Sequence, residues 1–264
     1  MNIPLFHVDA FTKMPFRGNP AAVCFLNSWL DEGWLRKVAS ENNVSATAFL
    51  VESAEGYELR WFTEKRELKL CGHATLASAH VLLNIRKTRL ATVTFNTRFR
   101  GTLTVRKEAE ALIMDFPATT PKLVDAPSAK LREGLQIDLR PEEILEANET
   151  YIVAIDSPAA LKALCPNIAI LKELHPYAVA VTARGTESDY VLRYFAPSYG
   201  IPEDPVTGSV HCALAPYWAK RLGKSNLHAH QLSERGGELS CEVRGDRVFL
   251  KGTAVLMLEG SLSI

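Results

Sequence analysis

Short runs of apolar residues alternate along the chain between the spacing of a strand and the spacing of a helix. Segments 92–95 and 239–243 alternate apolar and polar residues with a period of two, which is typical of antiparallel strands with one face in solvent. In segment 210–217 the apolar residues recur at helical spacing, and Gly223 favours the end of that helix. A Gly-Asp pair at 245–246 lies between two strand-like runs and predicts a hairpin turn.

The same order of elements occurs twice. Segment 57–62 reads Tyr-Glu-Leu-Arg-Trp-Phe and segment 190–195 reads Tyr-Val-Leu-Arg-Tyr-Phe. Each is followed by a loop and then by a glycine, Gly72 or Gly208, that precedes a helix-like run. Each is also preceded by a helix-like and a strand-like segment, which are 34–42 and 47–51 in the first half and 168–174 and 178–181 in the second. A match across four elements at half the chain length indicates an internal repeat.

The repeat predicts an α+β fold with two pseudo-symmetric halves. We place them at residues 1–117 and 118–264, and we allow the last strand to return to the first half. Each half is expected to be a mainly antiparallel sheet wrapped around a central helix.

The two repeated loops are candidates for a binding site. The N-terminus of a helix presents unpaired N–H groups and the positive end of the helix dipole, so it attracts carboxylates. Gly72 and Gly208 would let a ligand approach the backbone closely. Two such helix starts facing each other about a pseudo-two-fold axis would suit a small anionic substrate. The alternative is that both glycines are turn residues and the helices are merely buried; His73 and Asp204 in these loops favour a site.

Composition and charge exclude several classes of protein. Lys plus Arg and Asp plus Glu both total 30, so a basic nucleic-acid surface is not expected. No apolar run approaches the roughly 18 residues of a membrane span, and no signal pattern opens the chain. The five cysteines are widely spaced without a Cys-x-x-Cys pair, which argues against a disulfide framework or a structural zinc site. We therefore expect a cytoplasmic protein in a reducing compartment.

Four ordered motifs resemble those of the PhzF-like (phenazine-biosynthesis-like) family. They are Asp9-Ala10-Phe11-Thr12 with Phe16-Arg17-Gly18-Asn19-Pro20-Ala21-Ala22-Val23, Cys71-Gly72-His73-Ala74-Thr75, Glu203-Asp204-Pro205-Val206-Thr207-Gly208-Ser209, and Arg235-Gly236-Gly237-Glu238. The resemblance extends over nearly the whole chain. It implies the fold of diaminopimelate epimerase, in which two similar halves have the active site between them, in agreement with the internal repeat.

The resemblance also implies a function in biosynthesis. It implies cofactor-independent isomerase chemistry, in which a proton is moved on a small carboxylate-bearing substrate, and members that are often homodimers. No metal or nucleotide cofactor is expected, and no His, Cys, Asp or Glu set with metal-ligand spacing is evident in the sequence.

Six residues are expected to contact the substrate or to move its proton, and these are Asn19, Gly72, His73, Asp204, Gly208 and Ser209. His73 could exchange a proton near neutral pH, or it could be a neutral hydrogen-bond partner, because the dipole at a helix start disfavours the cation. Asp204 could bind a substrate ammonium or hydroxyl or relay a proton. Its structural alternative is a turn or N-cap residue that accepts from the N–H of Val206 or Thr207.

The catalytic position departs from the family pattern. The family's catalytic glutamate lies in a Ser-Glu-Thr-x-Phe motif, whereas residues 45–49 read Ser-Ala-Thr-Ala-Phe, so that Ala46 occupies its place. A methyl group cannot carry a proton, and general acid–base catalysis contributes about 10²- to 10⁴-fold in rate. The alanine could be natural, with altered or lost chemistry, or engineered, or another residue could act as the base. The rival hypothesis is a non-catalytic protein on the same fold that binds small acids or a partner protein.

The remaining reactive residues have simpler interpretations. Cys71 has no opposed cysteine in the second half, so a two-cysteine racemase is disfavoured and we interpret Cys71 as a packing or helix-start residue. As a lone acyl-transfer nucleophile it would need an activating base, for which His73 is the neighbouring candidate, but nothing else in the sequence supports a hydrolase. The simplest interpretation of Lys65, Arg66, Glu67 and Lys69 is a charged loop, and that of Glu41 is a solvated helix residue. His80 and His211 fall within helices and are expected in or beside the core.

Overall fold

A computed structural model describes residues 1–86, 90–137 and 143–264. The chain forms two compact units. Unit 1 comprises Met1–Asp115 and Leu250–Ile264, and unit 2 comprises Phe116–Phe249. Within the described residues, no helix combines the length and the apolar character that a membrane span requires.

Strands are the main elements of both units. In chain order they are β1 (Asn2–Ala10), β2 (Asn19–Leu26), β3 (Ala46–Ser53), β4 (Gly56–Phe62), β5 (Glu67–Leu68), β6 (Thr92–Thr97), β7 (Gly101–Glu108), β8 (Ala111–Pro117), β9 (Lys122–Leu123), β10 (Glu143–Ala147), β11 (Thr150–Ala154), β12 (Ala178–Arg184), β13 (Tyr190–Phe195), β14 (Asn226–Gln231), β15 (Gly237–Arg244), β16 (Arg247–Gly252) and β17 (Ala254–Ser263). The helices are α1 (Glu32–Asn42), α2 (Gly72–His80), α3 (Ala129–Leu135), α4 (Pro158–Ala163), α5 (Ile168–Lys172) and α6 (His211–Leu222). A π-helical turn (Val81–Ile85) extends α2, and a 3₁₀ turn (Pro197–Tyr199) follows β13.

The C-terminal strand belongs to the first unit. The sequence left open whether the last strand returns to the first half, and β17 pairs along β1 in antiparallel fashion, from Asn2 opposite Ser263 to Ala10 opposite Ala254. The backbone hydrogen bonds of a full-length strand pair therefore attach residues 250–264 to unit 1.

Both units pair their strands in the same alternating order. In unit 1 the pairs β1–β2, β2–β3, β3–β4, β4–β6 and β6–β7 are antiparallel, parallel, antiparallel, parallel and antiparallel. In unit 2 the pairs β10–β11, β11–β12, β12–β13, β13–β14 and β14–β15 follow the same alternation. The register agrees as well, since Tyr57 lies opposite Phe95 and Tyr190 lies opposite Ala229. The repeat seen in the sequence therefore corresponds to a repeated topology.

Most of the described strand pairs are antiparallel, as predicted, and four are parallel. The connection between the two strands of each parallel pair contains helix. In unit 1, α1 connects β2 to β3, and α2 lies between β4 and β6. In unit 2, α4 and α5 connect β11 to β12, and α6 connects β13 to β14. A parallel pair needs a long crossover connection, and helices supply it.

Helix α2 is the central helix of unit 1. Every residue from Ala74 to His80 is buried, and the helix packs against β1, β2, β3 and β17. Its small side chains let the strands approach closely on several sides. The hydroxyls of Thr75 and Ser78 donate to the carbonyls of Cys71 and Ala74 at 2.7 Å, so neither is left unpaired in the core.

Helix α6 takes the corresponding place between β13 and β14 in unit 2 and packs against β14 and β15. It contains Pro216, which has no N–H to donate to the carbonyl of Cys212 one turn earlier. That carbonyl accepts instead from the N–H of Thr119 at 2.8 Å. Gly223 ends the helix in the left-handed conformation with φ 67°, as the sequence predicted.

Candidate functional site

Two predicted site residues of unit 1, Asn19 and Ala46, lie at the same end of its sheet, where their strands begin. Strands β2 and β3 are parallel and start at Asn19 and Ala46, and both residues are fully buried. Strand β4 runs antiparallel to β3 and ends at Phe62, opposite Thr47. The first residues of β2 and β3 and the last residue of β4 therefore lie at the same end of the sheet. From the end of β4 the chain continues to α2.

The start of α2 holds a thiol beside an imidazole. Cys71 precedes the first residue of α2, and its Sγ lies 3.5 Å from Nδ1 of His73. His73 is half-buried, and burial lowers the pKa of its imidazole to about 4. Of the two roles that the sequence left open, this environment favours the neutral hydrogen-bond partner over a group that carries a proton at pH 7.

The loop before Asn19 explains the first motif of the sequence. The carboxylate of Asp9 accepts a hydrogen bond from the N–H of Phe16 at 3.0 Å, which closes the loop between β1 and β2. Gly18 adopts φ 70°, and a Cβ at this position would lie 2.2 Å from the carbonyl oxygen of Ala10. Only glycine fits without displacing the backbone, so Gly18 sets the entry of β2 and thereby the position of Asn19.

Arg60 and Arg193 occupy corresponding positions in the two copies of the repeat, and each forms an ion pair with a glutamate in the segment before α2 or α6. Arg60 donates from Nε and Nη2 to the two carboxylate oxygens of Glu67, both at 2.7 Å. Arg193 does the same to Glu203, at 2.7 and 2.8 Å. Bidentate pairs of this kind impose geometry as well as attraction. The interpretation of the charged residues in segment 65–69 as a loop is wrong for Glu67, which lies in β5 with a side chain that is only 11% exposed.

In unit 2 a buried glutamine holds the loop that contains Asp204. The Oε1 of Gln231 accepts from the N–H of Thr207 at 2.8 Å, and its Nε2 donates to the carbonyl of Asp204 at 2.6 Å. Of the two N–H groups that the capping alternative offered to Asp204, those of Val206 and Thr207, the N–H of Thr207 is thus paired with Gln231. The Asp204 carboxylate accepts instead from the Thr207 hydroxyl at 2.6 Å. Gln231 was not among the site residues predicted from the sequence, and its position at the end of an alternating strand was the available signal.

The second helix begins later than expected. Regular α6 starts at His211, and Val210 is its N-cap. The N–H groups of His211 and Cys212 donate to the carbonyls of Gly208 and Ser209 at 3.2 Å, so tighter turns precede the helix. Gly208 is buried, whereas Ser209 is exposed and accessible to a ligand.

Three buried polar side chains, those of Tyr190, His211 and Cys241, contact one another in the core of unit 2. The hydroxyl of Tyr190 lies 2.6 Å from Nδ1 of His211 and 3.5 Å from Sγ of Cys241. Burial lowers the pKa of His211 to about 3 and raises the pKa of Cys241 to about 12. Both groups are therefore neutral at pH 7, as expected of a core histidine and a core cysteine.

The described residues contain one set of side chains that could hold a metal ion, which the sequence analysis did not identify. His228, His230 and Glu238 bring their ligand atoms within 4.8 Å of one another on β14 and β15. Two histidines separated by one residue on a strand were the available signal; the carboxylate is supplied by the neighbouring strand.

Comparison with known proteins gives consistent matches over the full length of the chain. An uncharacterized isomerase of Pseudomonas aeruginosa is 47% identical over 264 residues, covering 100% of both chains. A phenazine biosynthesis-like domain-containing protein of Bos taurus is 40% identical over 293 aligned positions, again covering 100% of both chains.

Solved structures support the fold. A PhzF-family phenazine biosynthesis protein of Enterococcus faecalis superimposes with a TM-score of 0.94 at 40% identity, covering 100% of both chains. A hydroxyproline epimerase of Agrobacterium vitis superimposes with a TM-score of 0.65 at 8% identity over 99% of this chain and 92% of its own, which shows an epimerase-like fold alone. The family model described as phenazine biosynthesis-like protein (PhzC-PhzF) matches residues 8–260. This chain therefore belongs to the phenazine biosynthesis-like family.

Proposed function

We propose that this protein is a cofactor-independent isomerase scaffold that binds a small carboxylate substrate, and that its proton-transfer activity is strongly reduced. The reduction is ascribed to Ala46, at the position of the family's catalytic glutamate. The site residues proposed are those expected from the sequence, namely Asn19, Gly72 and His73 of unit 1 and Asp204, Gly208 and Ser209 of unit 2.

The observation that carries the proposal is the place of Ala46. It opens β3 beside Ala21 of β2, two residues beyond Asn19, and α2 packs on both strands. The side chain is fully buried, so an acid here would be shielded from water and close to the other proposed residues of unit 1. The methyl group offers no proton, and His73 has a pKa of about 4, so it is a weak base at pH 7.

Binding of the substrate does not need the missing acid. Carboxylate-binding backbone N–H groups are assigned in each unit by itself, at the start of α2 in unit 1 and in the turns at Gly208 and Ser209 in unit 2. Asp204 is assigned to a substrate ammonium or hydroxyl. Its loop is held by the Gln231 hydrogen bonds and by the Arg193–Glu203 pair that precedes it, so the carboxylate is presented by a fixed backbone.

The test restores the acid. Ala46→Glu, with Ala46→Gln as a control of the same size without the proton, is compared with the unchanged protein. Solvent deuterium incorporation is measured by mass spectrometry over a panel of amino and hydroxy acids. We expect Ala46→Glu to raise exchange by about 10²- to 10⁴-fold and Ala46→Gln to leave it unchanged. Exchange by the unchanged protein at the rate of Ala46→Glu would show that position 46 does not hold the base.

The second candidate function is binding without turnover, which the absence of an acid at position 46 also favours. It predicts that a member of the panel raises the unfolding temperature of the unchanged protein without any product. Ser209→Ala and Asp204→Asn should both reduce that shift. Product formation by the unchanged protein would instead assign it a working catalytic base.

The proposal includes a homodimer in a reducing compartment such as the cytoplasm. None of the five cysteines, all of them within the described residues, forms a disulfide, and only Cys165 is exposed. Sedimentation of the purified protein tests the dimer, and a monomer at micromolar concentration would contradict it.

A further inference from the structure

Three metal-ligating side chains meet on one face of the β14–β15 pair. His228 and His230 are two residues apart on β14, so both point to the same side of the sheet. Glu238 of β15 lies directly opposite His230 in the antiparallel register. One carboxylate oxygen, Oε2, lies 3.4 Å from Nε2 of His228 and 3.3 Å from Nε2 of His230. Strand register therefore brings the donor atoms together.

The spacing of these donors suits a small divalent ion. In a tetrahedral zinc site with bonds of about 2.0–2.1 Å, neighbouring ligand atoms lie about 3.3–3.4 Å apart. The two His–Glu separations have this value, and all three ligand atoms lie within 4.8 Å of one another. A modest rotation of the histidine side chains would bring their two ligand nitrogen atoms to the same separation.

We propose that His228, His230 and Glu238 bind one late first-row divalent transition-metal ion, of which Zn²⁺ is the representative. Two imidazoles and one carboxylate favour zinc, cobalt, nickel or copper over calcium and magnesium, which prefer sets of oxygen ligands. The three side chains are 40%, 31% and 39% exposed, so the ion can enter from solvent and retain water as a further ligand.

The backbone around the site is held in place without the ion. The N–H of His228 donates to the carboxylate of Asp189 at 2.7 Å, and the carbonyl of His228 accepts from the N–H of Asp189 at 2.8 Å. Asp189 is in turn paired with Lys224 at 2.5 Å. Because β14 is also paired with β15 along its whole length, binding would order only side chains.

The alternative is an ordinary His–Glu ion pair that binds no metal. Titration of the full-length protein, freed of metal with a chelator, decides between the two. Co²⁺ is added and the visible absorption bands of four-coordinate cobalt are followed; Zn²⁺ is added in parallel by isothermal titration calorimetry. We expect one ion per chain, displacement of Co²⁺ by Zn²⁺, and no competition from Mg²⁺ or Ca²⁺.

Variants locate the binding. His228→Ala with His230→Ala should abolish the cobalt bands, and Glu238→Gln, which keeps the shape of the side chain, should weaken binding by about 100-fold. His175→Ala, at an exposed histidine outside the cluster, and Glu234→Gln, at an exposed glutamate in the segment between β14 and β15, are the controls and should bind as the unchanged protein does.

The outcomes separate the two interpretations even when a variant is unstable. Thermal unfolding in chelator checks the fold of each variant, and Glu238→Gln serves if the double histidine variant does not fold. Affinity that is unaffected by Glu238→Gln and by the histidine changes, or the absence of cobalt bands at millimolar Co²⁺, would overturn the proposal and leave the ion pair.

Discussion

Gln231 offers the sharpest test of how the Asp204 loop is held. Its side chain is 2% exposed and bridges the N–H of Thr207 and the carbonyl of Asp204. In Gln231→Ala both groups lose this partner. A buried polar group left unpaired costs about 1–3 kcal/mol. Thr207 is buried, so the cost of leaving its N–H unpaired lies at the upper end of this range. Asp204 is half-buried, so water can partly replace the lost hydrogen bond to its carbonyl.

The expected cost of Gln231→Ala is therefore about 2–4 kcal/mol, most of it local to the loop. Since 1.4 kcal/mol corresponds to a factor of ten, the amide of Thr207 should exchange with deuterium roughly 30- to 1000-fold faster. Amide exchange followed by NMR measures this directly. Gln136→Asn, at an exposed glutamine with positive φ that asparagine tolerates, is the control and should leave Thr207 unchanged.

Gln231→Glu adds a pH signature. One carboxylate oxygen can still accept from Thr207, but the other would face the carbonyl oxygen of Asp204 and could donate to it only when protonated. The protection of Thr207 should therefore be low at pH 7 and recover as the pH falls. Thr207 exchange that stays within threefold of the unchanged protein in Gln231→Ala would refute the reasoning, because the side chain would then not be holding the loop.

Two further substitutions test the strained glycine and the buried histidine. Gly18→Ala should lower stability in urea by more than Gly101→Ala, because both glycines have positive φ but only the first would place its Cβ 2.2 Å from the carbonyl oxygen of Ala10; equal losses would contradict this. His211 has its pKa lowered to about 3, so its contribution is present above pH 6.5 and is lost as the pH falls towards 3. His211→Asn, which can still form a hydrogen bond with Tyr190, should reduce the slope of stability between pH 6.5 and 4 by up to about 1.4 kcal/mol per pH unit; an unchanged slope in urea titrations would contradict it.

The local elements followed closely from the sequence. Strand β13 has the predicted bounds, Tyr190–Phe195, and α6 ends at Gly223 as its residue type indicated. These features depend on periodicity and on backbone preferences of neighbouring residues, which a contiguous segment carries by itself. The start of α6 was predicted less well, because tight turns at Gly208 and Ser209 precede the helix and small residues suit both conformations.

Contacts between distant segments were not predictable in the same way. The sequence assigned Glu67 to a charged loop, whereas it lies in β5 and accepts from Arg60 of the neighbouring strand. Gln231 reaches a loop that is 24 residues away in sequence. Both partners are polar residues of common types, and composition does not reveal which of many such residues will meet once the strands have paired.

By itself, the amino-acid order determined the duplicated series of elements, the family motifs and the alanine at position 46. Tertiary structure alone decided that residues 250–264 complete unit 1, that Gln231 holds the Asp204 loop, and that His228, His230 and Glu238 share one face. The physical reason is the range of the interactions. Helix periods and turn conformations are local, whereas the register between strands sets which distant side chains meet, and a shift of one residue would turn Glu238 to the other face of its strand.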